Sequence, residues 1–319
     1  MRNRFVEFLT AEYLEGYIKA GGSKVKLVMD RDGKGTTALL KSLCAAAAER
    51  GYAAAYVDAA SVAKINVFSN IYQAVVRELD LTALVGEYCR RVIRKIGYDP
   101  DEVPVETDFV TWACEKHQRV PERLRREVQE RVERDLFRNR SINRSFAAVV
   151  LQLTASVIGA TERKLTEEDK AVLYAWLRGE EVPLRDLRRF HVFTRVDRYN
   201  ARLMLRSMVE FARLTGKAGL LLAVDRLEVL LAKKETGRPL YNKAARDEFF
   251  ESVRQLIDGI DTLSFIMILL GFQRELLDDE QKGIRSYEAL WLRIQHEVAG
   301  QRANLFRDFL DLDEAAAAT

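Results

Sequence analysis

Val25-Lys26-Leu27-Val28-Met29 is a short apolar run, and Asp30-Arg31-Asp32-Gly33-Lys34-Gly35-Thr36-Thr37 follows it without a break. Ala38 to Arg50 comes next, rich in Ala and Leu and ended by Gly51. An apolar run bounded by Gly and Asp reads as a buried strand, and the Ala/Leu stretch closed by glycine reads as a helix with its C-cap. A glycine-containing turn between the two is the frame in which backbone amides wrap an anion at a helix N-terminus. The pattern that does this for nucleotides is G-x-x-x-x-G-K-[ST]: the lysine reaches the outer phosphates and the hydroxyl binds magnesium. Here Gly35 takes the second glycine and Thr37 the hydroxyl, while Asp30 stands for the first glycine and Thr36 for the lysine. Sliding the register so that Lys34 becomes the lysine puts Val28 at the glycine and Gly35 at the hydroxyl, a worse fit at both. Lys34 leaves the loop from a different point, and Asp30 and Asp32 bring carboxylates to where a triphosphate would sit, which opposes anion binding.

Before the loop, Phe5, Phe8, Leu9, Tyr13, Leu14 and Tyr17 recur at helical spacing until Gly21-Gly22 stops them, so an amphipathic helix opens the chain. After it, Ala53 to Asp58 reads as a second strand and Phe68 to Leu79 as a second helix, the start of a parallel α/β sheet. From Leu81 to about Arg189 the pattern is almost purely helical, which marks an insertion over residues 81–190 between core segments 1–80 and 191–319. The α/β pattern then returns: a helix over Asn200 to Thr215 capped at Gly216, a strand over Gly219 to Val224, a helix over Asn242 to Ile260 and a strand over Phe265 to Gly271. Arg293 to Val298 is a candidate last strand ahead of a helix at Ala303 to Leu310, and Ala315 to Thr319 is too short to fold alone. A nucleotide site needs a second half, an apolar strand ending in Asp and usually followed by a Glu that orients the attacking water. Leu220-Leu221-Leu222-Ala223-Val224-Asp225 supplies the strand and the Asp, but Arg226 stands where the Glu would be. Glu228 follows two residues on, in a segment read as extended, and is a weak substitute. Without the lysine and the glutamate, hydrolysis loses charge stabilisation and water positioning.

With 319 residues, 48% hydrophobic, 31% charged and only 5 Pro, the chain has the composition of a helix-rich globular protein with ample core. Its net charge of +3 implies no polyanion partner for the chain as a whole, so any nucleic-acid surface is local. Cys44, Cys89 and Cys114 are scattered, without metal-ligand spacing, and read as plain thiols of a reducing cytoplasm. Charges within Met1 to Ala20 exclude a secretory signal, and the apolar runs Ala218 to Val224 and Phe265 to Phe272 are too short to cross a bilayer. Arginines crowd residues 119–144 with Glu122, Glu127, Glu130, Glu133 and Asp135 among them, as on a solvated, ion-paired helix face. Arg138, Arg140 and Arg144 lie beyond the acidic part and are the best DNA candidates. A second basic cluster surrounds Phe190 and Phe193, and Arg202, Arg206 and Arg254 suit internal pairing with Asp197, Asp258 or Asp261. His117, His191 and His296 are too dispersed for a metal or a proton relay.

Four sets of residues carry a family resemblance: Gly22 to Val28; Trp176 to Glu180 with Asn200 to Ser207; Gly219 to Glu228 with Val253 to Asp261; and Ser286 to Leu290 with Arg293. With these, the chain resembles the P-loop family of ATP-binding proteins of BREX phage-defence systems. The resemblance implies an α/β P-loop fold of the AAA-like class and a place in phage defence. Members typically end the loop in Gly-Lys-Ser or Gly-Lys-Thr and the strand in Asp-Glu, so Thr36 and Arg226 are departures. Little chain follows residues 293–298 for the helical lid that many related ATPases place over the nucleotide. Asp30, Gly33, Lys34, Gly35, Thr36, Thr37 and Asp225 are the expected contacts to ATP, with Thr37 and Asp225 as ligands to Mg, and no catalytic residue is assigned. The expectation is a degenerate member with regulatory or assembly duties beside other defence proteins or an intact ATPase paralogue, self-associating or not. The alternatives are an ATP-binding switch or slow ATPase that uses Lys34 or another subunit's arginine, and a DNA-binding protein acting through the basic insertion.

Overall fold

The computed structural model describes the backbone of residues 2–298 and 304–317 and the side chains of residues 4–298 and 304–314. Helix α1 (Arg2–Phe8) runs into wider π turns over Leu9–Tyr17, and strand β1 (Ser23–Asp30) follows. Next come α2 (Lys34–Glu49), β2 (Ala53–Asp58) and α3 (Phe68–Arg77). A helical stretch carries α4 (Leu81–Lys95), α5 (Phe109–His117), α6 (Pro121–Leu136), α7 (Arg144–Ile158), α8 (Glu167–Leu177), α9 (Leu184–Arg188) and α10 (Ala201–Leu214). The chain then forms β3 (Leu220–Asp225), α11 (Lys243–Asp258), β4 (Ile266–Gln273), α12 (Arg274–Asp278), α13 (Glu288–Val298), β5 (Phe309–Asp311) and α14 (Leu312–Ala317).

Two compact units result, one of residues 1–79 with 218–319 and one of residues 80–217. In the first, five parallel strands pair in the order β2-β3-β4-β1-β5. Strands buried on both faces read as continuous apolar runs, as Leu220 to Val224 and Ile266 to Leu270 do. Period-2 alternation sends Leu221, Ala223, Met267, Leu269 and Val28 to one face, where Leu39, Leu40 and Leu43 of α2 and Leu9, Leu14 and Ile18 of the opening helix cover them. Leu222, Val224, Ile268 and Leu270 face the other way, against Phe249 and Val253 of α11. Each such fully buried side chain contributes about 1.5–3 kcal/mol.

The unit of residues 80–217 is all helical. Its helices start on side-chain caps: Asp80, Asp108 and Asn143 accept from first-turn amides, and Thr166 and Asp169 form a reciprocal capping box. Helix α10 packs here, and Gly216 follows it at φ +97°, the left-handed stop expected at that place.

Arg293 to Val298 is not a strand. It continues the helix from Glu288, because Leu290 and Ile294 are buried at i, i+4 spacing on the side of α13 that packs against α11. The last strand instead lies at Phe309–Asp311 beside β1, overlapping the end of the segment expected to be helical. Ala303, where that helix was to begin, and the final two residues lie outside the described part. Ala315, placed in a tail too short to fold, belongs to α14 through Ala317. Among the described residues no helix is long and apolar enough to cross a membrane.

Candidate functional site

Strand β1 delivers Asp30 to the carboxyl end of the sheet, and α2 begins four residues later. The first amides of a helix have no partner within it. Here the loop's own carboxylates take them. The Oδ1 atom of Asp30 accepts from the Gly33 amide at 2.7 Å and the Thr36 hydroxyl at 3.0 Å; its Oδ2 atom accepts from the Gly35 amide at 2.7 Å and the Thr36 amide at 3.3 Å. Asp32 Oδ1 accepts from the remaining amide, that of Lys34, at 3.1 Å. The two glycines make this closure possible. Gly33 sits at φ +79°, and a Cβ on Gly35 would come within 2.7 Å of Asp30 Oδ2.

Asp30 is only 5% exposed and Thr36 is fully buried, whereas the Lys34 side chain is 87% exposed with its ammonium 3.1 Å from Asp32. The Asp32 carboxyl is held below its ordinary range, chiefly by the Lys34 amide and then by its ammonium. Sequence reasoning placed two repelling carboxylates near the loop. In the folded chain they part: Asp30 turns inward onto the amides, and Asp32 turns outward to Lys34.

Across the loop, β3 ends in Asp225, which is 1% exposed. Its Oδ2 accepts from the Thr37 hydroxyl at 2.6 Å and the Tyr56 hydroxyl at 2.5 Å, and its Oδ1 from the Arg226 amide at 2.8 Å. The fold thus joins Thr37 and Asp225, the expected Mg ligands, and adds Tyr56. Burial, reinforced by the hydrogen bond to Asp225, raises the Tyr56 phenol well above its usual range, so it stays a donor. No group of three or more His, Cys, Asp or Glu side chains suited to a metal is present among the described residues.

The segment after Asp225 is not extended. Arg226 takes the left-handed conformation at φ +60°, and Leu227–Leu231 winds into a 3-10 helix. Arg226 turns to Asp58 at the end of β2, with Nε 2.8 Å from Oδ1 and Nη2 on the other oxygen. Glu228 turns the other way, and its carboxylate accepts from the Gln273 amide at 3.2 Å. Burial raises its pKa. Gln273, the last residue of β4, bridges back to the loop through Nε2 to the Asp32 carbonyl at 3.3 Å.

Tyr56, Asp58 and Gln273 were not foreseen from sequence. One signal was available: β2 and β3 both end in Val-Asp, and the register pairs Val57 with Val224 and Asp58 with Asp225. Tyr56 and Gln273 carry no such mark. Arg138, Arg140 and Arg144 are exposed where α6 passes into α7 in the helical unit. The paired helix face expected across residues 119–144 is sparse: Arg119 meets Glu127 and Arg131 meets Asp135. Arg254 pairs with Asp258, one of the partners expected, and also with Glu251, whereas Arg206 donates to the Ser141 hydroxyl at 2.7 Å.

Searches of curated proteins and of solved structures returned no match. A family model, that of the BREX system ATP-binding protein BrxC/D, matches residues 2–314. That span takes in the loop between β1 and α2, both carboxylate-terminated strands and the helical unit. The chain belongs to the BREX system ATP-binding protein BrxC/D family.

Proposed function

We propose that this chain is a degenerate P-loop NTPase of the AAA-like class. In this reading it is a cytoplasmic regulatory or assembly subunit of a phage-defence system, with little or no ATP hydrolysis. Its partners are then other defence proteins, among them an ATPase with an intact loop. The observation that carries the reading is the Asp30 carboxylate on the amides of Gly33, Gly35 and Thr36. Those donors are the ones a P-loop directs at phosphate. As arranged, the residues do not fit a triphosphate. A phosphate charge about 4 Å from Asp30 costs about 4 kcal/mol at an effective dielectric near 20, close to a thousandfold in affinity. Thr36, buried against Asp30, offers no ammonium in compensation. Arg226, tied to Asp58, cannot activate water.

Restoring the site therefore requires three changes. Thr36→Lys alone would pair its ammonium with Asp30 instead of with phosphate. Asp30→Gly/Thr36→Lys/Arg226→Glu frees the amides, supplies the cation and supplies the carboxylate. Calorimetric titration with ATP and magnesium is expected to give no binding heat for the wild type and binding for the triple variant. Micromolar binding by the wild type would overturn the proposal. The second reading, an ATP-binding switch, draws on the Thr37 hydroxyl and Asp225 carboxylate held 2.6 Å apart, a spacing that suits a shared magnesium shell. The same titration separates the two.

A further inference from the structure

The helical unit carries an arginine-rich surface of unusual composition. The turn between α6 and α7 holds Arg138 and Arg140, and Arg144 opens α7; all three are exposed, and residues 137–145 contain no acid. Hydrogen bonds bring this turn against α10 and the irregular segment that precedes it. The hydroxyls of Ser145 and Thr194 lie 3.4 Å apart, Arg206 donates to Ser141 Oγ at 2.7 Å, and the Asn143 amide donates to Ser207 Oγ at 2.8 Å. The second segment adds Arg195 and Arg198, both exposed. Its one acid over residues 193–207, Asp197, caps its own turn by accepting from the amides of Tyr199 and Asn200. Among the described residues Arg138, Arg140 and Arg144 have no acidic partner, in contrast to Arg189, which is paired with Asp169.

Three large rings stand in water on the same two segments. Phe137 is 44% exposed, Phe193 63% and Tyr199 82%. The Arg198 guanidinium already lies over the Tyr199 ring, 4.8 Å from its centroid. An exposed phenylalanine is common singly, but rings set among exposed arginines are a platform for stacking beside a track for phosphates. An acidic peptide would use the arginines and leave the rings idle. Duplex DNA has its bases stacked inside and leaves them idle too.

We propose that the surface formed by residues 137–145 and 193–200 binds single-stranded nucleic acid, the arginines meeting its phosphates and Phe193 and Tyr199 stacking on its bases. Every residue involved lies within residues 80–217, so the proposal is independent of what the phosphate loop binds. Five arginines on a single strand give a salt slope of about −3.5, so doubling the salt weakens binding about tenfold.

The test is fluorescence anisotropy of the full chain with a labelled mixed-sequence single-stranded 20-mer, at about 75 and 150 mM salt, the range where phosphate contacts dominate. Arg138→Ala/Arg140→Ala/Arg144→Ala is expected to reduce the slope by about 2. Phe193→Ala/Tyr199→Ala is expected to weaken binding about tenfold or more at an unchanged slope. Arg123→Ala/Arg126→Ala, on exposed positions of α6 about 18 Å before the turn, should change neither. All these positions are on the surface, and circular dichroism checks that each variant keeps its helices. Three results would each overturn the proposal: no binding at about 10 μM protein in the lower salt, a scale typical of non-specific sites; duplex binding of equal strength that ignores loss of the rings; or displacement of the oligonucleotide by a polyglutamate peptide at equal concentration.

Discussion

Replacing Asp30 with alanine removes one carboxylate and strands four donors at once: the amides of Gly33, Gly35 and Thr36 and the Thr36 hydroxyl. A hydrogen bond to a charged group contributes about 1.5–3 kcal/mol, and an N-cap replaced by alanine typically costs about 1 and at most about 2. Because two oxygens serve all four donors, the contributions overlap; the expected loss is about 3–5 kcal/mol, read from urea unfolding by linear extrapolation. Asp30→Asn keeps one acceptor and should fall between. The distinguishing measurement is rescue. With the carboxylate gone, the amides form an open anion nest, and inorganic phosphate that binds it with a Kd near 1 mM returns about 2.7 kcal/mol at about 100 mM. The wild type, whose nest is filled from within, gains only the general salting effect of phosphate and serves as the control. A loss below about 1 kcal/mol on the alanine change, well under an ordinary charged hydrogen bond, would refute this account of the loop. Equal stabilisation of both proteins by phosphate would do the same.

Two further outcomes are expected. Lys26 is fully buried in β1, donating to the carbonyls of Leu305, Phe306 and Arg307, the last at 2.5 Å, and burial lowers its pKa to about 8. Above that pH the folded chain has released a proton that the unfolded chain keeps until about 10.4, so this residue's contribution to stability rises with pH in that window. Relative to Lys26→Met, the wild type should gain about 1.5 kcal/mol between about pH 8 and 9.5, from 1.36 kcal/mol per unit. The comparison cancels the thiols of partly buried Cys44 and buried Cys89, which burial raises to about 12 and which pull the other way, and a flat difference would sink the assignment. Gly271→Ala would place its Cβ 2.8 Å from both Asp225 Oδ1 and Thr36 Cγ2 and 2.5 Å from Leu40 Cδ1, so overpacking should cost about 1–3 kcal/mol in urea unfolding. A neutral result there would mean that the two halves of the site are not packed as tightly as the geometry requires.

The strand–loop–helix opening was legible because its signals are local: an apolar run, two glycines and an Ala/Leu helix. The pairing of Thr37 with Asp225 could be anticipated from their places, in the first turn of the helix after β1 and at the end of β3, although residues 37 and 225 are far apart in sequence. What Asp30 does was misread in one respect. Its charge was counted, but the sense in which it acts depends on side-chain direction, and an inward carboxylate satisfies amides where an outward one would only repel. Glu228 was placed by assuming an extended chain, and the left-handed turn at Arg226 cancelled that assumption. The strand proposed at Arg293 to Val298 failed because the stretch was read apart from Leu290, whose spacing to Ile294 shows the helix. β5 spans Phe309–Asp311 and draws its identity from β1, so no local pattern could reveal it.

The register of β1 also sets an order of events during synthesis. Its neighbours are β4, where Ser23 meets Ile266, and β5, where Leu27 meets Phe309. At about 5–20 residues per second, β1 emerges from the ribosome roughly 10–50 s before either partner exists. The helices of residues 80–217 make local contacts and can form in that interval, while β1 waits. Lys24 and Lys26 break its apolar run, as charges do in segments that must resist self-association. Lys24 later meets Asp308, and Lys26 is buried only when the carbonyls of residues 305–307 reach it. The same two lysines therefore keep a nascent strand soluble and then fasten it to residues 305–308, made long after it.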